Sequence, residues 1–147
     1  MVAQAQASLD EDDPWTALVR FFERVIDAQC NDRGLMELLV FRQHGQARVA
    51  RARDRFIPLV DALVKRAQAA GVLRPDVVAR DVPLIHVMLA SVIDYTREIR
   101  PEVSRRHLAL LLDGLRADRG PRTELPGPAL EIEEVAAAMC RWKARPR

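Results

Sequence analysis

Residues 81–97 read DVPLIHVMLASVIDYTR, and between Pro83 and Ile93 the polar interruptions are His86 and Ser91. Asp81 offers an N-terminal cap and Pro83 sits in the first turn, where its missing N–H costs nothing, so the segment predicts a helix over 81–97. A helix apolar on nearly every side must be buried on nearly every side. It therefore calls for several other helices around it.

The flanking sequence supplies them. From Gln46 to Ala70 the chain is rich in alanine and arginine, and Val49, Phe56, Leu59, Val60, Leu63, Val64 and Ala67 form one helical stripe. Pro58 lies inside it and predicts a kink; Gly71 is its stop, and Asp76 can cap a short turn through Ala79. Upstream, Asp13 and Pro14 open a helix carrying Trp15, Leu18, Val19, Phe22, Val25 and Ile26 to about Gln29. Asn31, Asp32 and Gly34 interrupt it before a buried second helix from Leu35 to Phe41. Downstream, Pro101 starts a helix with Val103, Leu108, Leu110, Leu111, Leu112 and Leu115; the loop GPRTELPGPA (120–129) separates it from an amphipathic stretch, Glu131 to Trp142. No strand alternation exceeds a few residues. The expectation is an all-α domain of about six helices over 13–147, preceded by a disordered lead-in at 1–12.

Composition narrows the function. In 147 residues, 49% hydrophobic content suffices for one core. The 23 basic and 21 acidic residues leave +2, too balanced to draw the chain to nucleic acid. The excess of arginine over lysine, 21 to 2, is the mark of a GC-rich genome. Cys30 and Cys140 lie far apart in apolar patterns, which supports neither a disulfide scaffold nor a metal knuckle. No signal peptide opens the chain and no apolar run approaches the ~18 residues of a membrane span, so a soluble cytoplasmic protein is expected. Ser8, Ser91 and Ser104 lack a nucleophile elbow, no Glu-x-x-His pair suggests a di-iron centre, and no glycine-rich phosphate loop occurs. We expect no catalytic residue, metal or cofactor.

Three segments carry a resemblance: AGVLRPDVVARDVPLI (70–85), RRHLALLLDGLRA (105–117) and LPGPALEIEEVAAAM (125–139). Together with the helix from Pro14 they resemble, in order and spacing, the C-terminal domain of TetR-family bacterial transcriptional regulators. That resemblance implies a domain that senses a small apolar or cationic effector and forms a homodimer through a four-helix bundle. It also implies that DNA is reached only through an N-terminal helix-turn-helix head, about fifty residues long, absent here. A headless interaction protein, pairing with a full-length regulator, is the alternative. Ala67, Gly71 and Val77 have helix-turn-helix spacing, but Pro83 and the apolar face after it disqualify the second helix as a groove reader.

Candidate effector-binding residues are Phe22, Met36, Phe41, Phe56, His86 and Met88, aromatic and thioether groups suited to apolar or cationic ligands or, on the plainer reading, core filling. His86 must hydrogen-bond something, whether a ligand, a backbone carbonyl or a subunit partner. Candidate dimer-interface residues are Val92, Tyr95, Leu108, Leu111, Leu112 and Leu115, on two largely aliphatic helices able to pair across a two-fold axis. Arg97, Arg100, Arg105 and Arg106 form an expected solvated rim, with Glu98 and Glu102 as partners across the interface.

Overall fold

A computed structural model describes residues 2–31, 46–96, 98–100, 102–118, 120, 125, 128–135 and 137. The architecture is helical: α1 (Val2–Leu9), α2 (Pro14–Asn31), α3 (Gln46–Ala69), a 3-10 turn (Ala79–Asp81), α4 (Val82–Thr96) and α5 (Val103–Leu115). A further helical turn covers 132–135. The expected helix from Leu35 to Phe41, and the end of the stretch toward Trp142, lie outside the described residues.

Local chemistry sets the boundaries. The Asp13 carboxylate accepts the Thr16 N–H at 2.7 Å, capping α2 with Pro14 as its first residue. The same hydrogen bonds to Thr16 hold the Asp13 carboxyl below its usual range. Gly71, at φ 71°, ends α3: the Val72 N–H returns to the Ala67 carbonyl at 3.1 Å, a link that needs the left-handed residue between them. Asp76 is held in a two-pronged pair by Arg74, at 2.7 Å on each oxygen. Asp81 ends the 3-10 turn, its carboxylate accepting the Val78 N–H at 2.9 Å, and α4 begins one residue later.

The core lies between α2, α3, α4 and α5, built from Phe21, Phe22, Ile26, Leu63, Leu89 and Leu108 with their neighbours. The loop after α3 is stitched to the end of α5 by an antiparallel bridge between Leu73 and Arg116. The Arg116 guanidinium sits 4.7 Å from the centre of the Trp15 ring, fastening that end to the start of α2.

Two expectations are corrected. The lead-in is not disordered: α1 packs against α2 and α3, with Ala5 and Ser8 fully buried. Its alanines and glutamines are good helix formers, and small side chains permit the close approach. Its C-terminal carbonyls, which a helix cannot satisfy by itself, are met by arginine. Arg66 of α3 donates to the carbonyl oxygens of Leu9 (2.8 Å), Glu11 (2.6 Å) and Asp12 (2.6 Å), while Arg24 of α2 donates to the Ser8 hydroxyl at 2.7 Å and to Glu11 at 3.1 Å. Arg66→Ala is expected to cost about 2 kcal/mol and to open the Leu9–Asp13 junction to proteolysis, measured by urea unfolding and limited digestion. A junction as resistant as wild type would show that the clamp contributes nothing.

The second correction concerns α4. Val82, Ile85, His86, Leu89, Ala90 and Ile93 are buried, but Met88 is 52% and Tyr95 86% exposed. Within one chain the helix is covered on one side. Among the described residues no helix is long and apolar enough to cross a membrane.

Candidate functional site

α2 delivers Phe21 and Phe22 into the core side by side, because the helix buries a wide stripe from Leu18 through Val25 and Ile26. α3 brings Phe56 and α4 brings His86 to the same point. The Phe21 ring centre lies 5.6 Å from Phe22, 6.0 Å from Phe56 and 5.6 Å from His86; Phe22 lies 5.3 Å from His86. Phe21 and Phe22 meet edge to face and both are tilted by nearly 60° to the imidazole, geometries that aromatic quadrupoles favour. Phe56 is only partly buried and forms the outer edge of the cluster.

His86 is the anomaly. Its Nε2 is buried and, among the described residues, has no hydrogen-bond partner. Burial pushes the imidazole down to about 4, because the apolar surroundings disfavour its cation, so the ring is neutral at cellular pH. A buried ring nitrogen without a partner is costly, of order 1–3 kcal/mol, and calls for a reason. Among the described residues no backbone carbonyl accepts a hydrogen bond from this nitrogen.

Phe22, Phe56 and His86, named from the sequence, thus come together, and Met36 and Phe41 lie outside the described residues. Phe21 was missed. It falls in the same helical stripe as Leu18 and Val25, a spacing that makes it readable as a core residue. Met88 does not join the cluster: two residues from His86 it points about 200° away around the helix. It lies with Leu89, Val92, His107, Leu110 and Leu111 along an apolar groove of about 220 Å³ between α4 and α5.

That groove marks a second site. Leu110 is 60% exposed, and Tyr95 and Ile99 stand almost free at the end of α4. Of the expected interface residues, Val92 and Leu111 line the groove and are partly buried, Leu115 is partly buried against the core, and Leu108 and Leu112 are buried in the chain's own core. Those two lie one helical turn apart on the face of α5 that meets the core, so they are not available to a partner. Leu110, on the opposite side, was not named. Of the arginine rim, Arg97 lies outside the described residues and Arg100, Arg105 and Arg106 are exposed, with Arg105 paired to Asp27 at 3.2 Å and Arg100 to Glu102 at 3.7 Å within the chain. Among the described residues no cluster of three or more histidine, cysteine or acidic side chains could hold a metal.

The segment with helix-turn-helix spacing is part of the core as well, since Ala67 and Val77 are buried. Residues 13–117, from the cap of α2 to just beyond α5, match the family model described as the C-terminal domain of SbtR-like transcriptional regulators. No curated protein matches the chain.

Proposed function

Because the chain belongs to the SbtR-like C-terminal domains of TetR-type transcriptional regulators, we propose that it senses a small molecule in the core around His86 and self-associates through the exposed faces of α4 and α5. The observation that carries the first half is the Nε2 of His86, which has no partner among the described residues and lies against Phe21 and Phe22. A protein that serves only as scaffold gains nothing from such a group, whereas an effector supplies the missing hydrogen bond. Binding pockets commonly combine an apolar aromatic lining with one or two polar groups that orient the ligand.

The second half is supported by the exposed apolar side chains of Met88 and Leu110, which share one groove, and of Tyr95 and Ile99 beyond it, exposures of the kind that mark an interaction surface. A second copy presenting the same α4 and α5 faces covers it across a two-fold axis, giving a four-helix bundle. α4 then links the two functions, with His86 on its inner face and Met88 two residues away on its outer face. An effector with different affinity for two arrangements of the dimer shifts the balance between them, and DNA-binding heads attached to the two copies would change their separation.

The test is thermal unfolding with a panel of small aromatic compounds, repeated on Phe56→Trp, which fills the outer edge of the cluster. Compounds present at a hundred times their Kd are expected to stabilise the wild type by about 2.7 kcal/mol and to lose most of that in the variant. Equal stabilisation of both chains would place the binding elsewhere.

A further inference from the structure

The buried polar side chains among the described residues are Ser8, His86 and Ser104, and none is acidic or basic in its working state apart from the imidazole. Ser8 belongs to α1 and its hydroxyl accepts from Arg24 at 2.7 Å. Among the described residues the buried side chains of the core around Phe21, Phe22 and His86 include no carboxylate, lysine or arginine. A cationic ligand there gives up its hydration with no counter-charge, and the contact of a cation with two phenyl faces does not restore what is lost. An anion fares no better beside an imidazole that burial keeps neutral. The described buried residues thus offer a charged occupant no counter-charge.

The hydrogen-bond requirement is equally specific. A neutral imidazole carries its proton on one nitrogen and a lone pair on the other, so Nε2 either donates or accepts depending on the tautomer. A hydroxyl satisfies both cases, because it donates through its hydrogen and accepts through its oxygen. A carbonyl or an ether serves only one. Phe22, Phe21 and Phe56 pack on one another in series, with ring centres 5.6 and 6.0 Å apart, and a further flat ring would extend the series by the same aromatic contacts.

We propose that the effector is a neutral aromatic alcohol of the phenol class, its hydroxyl hydrogen-bonded to Nε2 of His86 and its ring packed among Phe21, Phe22 and Phe56. This rests on the reading of the core as the effector site and narrows the apolar or cationic ligand expected from the sequence to a neutral one. His86 is then the residue that separates a hydroxylated ring from a bare one.

Four probes of one shape test it by titration: naphthalene, 2-naphthol, 2-naphthoate and 2-naphthylmethylammonium, each against wild type, His86→Phe and His86→Gln. In the wild type 2-naphthol is expected to bind about tenfold more tightly than naphthalene, the worth of one buried hydrogen bond, and both charged probes more weakly than naphthalene. The preference for 2-naphthol falls to about one in His86→Phe and returns in part in His86→Gln, whose amide reaches a similar position. In the wild type, nitrogen NMR gives a readout that needs no variant: the His86 Nε2 resonance moves with 2-naphthol and not with naphthalene. Equal binding of naphthalene and 2-naphthol, a preference that survives His86→Phe, or tightest binding of a charged probe each overturn the proposal and leave a small-molecule site standing. Binding of none of the four, or binding unchanged in Phe56→Trp, removes the site itself along with it.

Discussion

Replacing Met88 and Leu110 together by arginine is expected to abolish self-association and leave a folded monomer. Both side chains are more than half exposed in the single chain, so neither substitution opens a cavity or buries a charge within it. In the two-fold dimer each would bring an unpaired charge into an apolar contact twice over. At 3 kcal/mol or more for a buried unpaired charge, the dissociation constant should rise by roughly a thousandfold or more. Sedimentation velocity reads this directly, with the wild type near twice 16.6 kDa and the variant at 16.6 kDa. Leu112→Arg makes the contrasting case: that side chain is in the chain's own core, and its replacement should unfold the domain rather than split the dimer. A double variant that still sediments as a dimer would move the interface away from α4 and α5.

Acid should weaken the fold through His86. In the folded chain this imidazole holds its proton only below about 4, against an ordinary value of 6.5. Above pH 6.5 both folded and unfolded chains carry it neutral and its contribution is constant. As pH falls from 6.5 toward 4 the unfolded chain takes up a proton that the folded chain refuses, so stability is lost across that window and levels off below it. The difference corresponds to about 3 kcal/mol in total. Urea midpoints at pH 7 and pH 4.5 measure it, with His86→Leu as the reference. The leucine variant should be more stable at neutral pH, having no unpartnered nitrogen, and should lack this part of the acid slope. An identical slope in both would assign the effect to the carboxylates.

How much of this was legible in the sequence depends on whether the signal is local. The Asp13 cap, Pro14 in the first turn and the Gly71 stop are decided within a few residues, and they stand where the sequence places them. The helix 82–96 was recognisable from its apolar composition, but the same composition hid which side faces the core. In α5 the leucines at 108, 110, 111, 112 and 115 spread widely around the helix, so the pattern cannot tell a core face from an interface, and Leu108 and Leu112 fall on the buried face of the single chain. Met88 could have been separated from His86 by helical geometry alone. α1 escaped because its buried contacts are Ala5 and Ser8, small residues that leave no hydrophobic stripe, held by arginines more than ten residues away in sequence. The partner problem of His86 was visible in the sequence; that no described residue reaches Nε2 is a property of packing.

The central claim is that an effector is sensed at the junction of α2 and α4. Hydrogen–deuterium exchange of the wild-type chain, with and without saturating 2-naphthol, tests it most directly. The account predicts slowed amide exchange in the turns of α2 around Phe21 and Phe22 and of α4 around His86, the two segments that the bound ring would bridge. Slowed exchange confined to the groove of Met88, His107 and Leu110, or to neither segment, would contradict it.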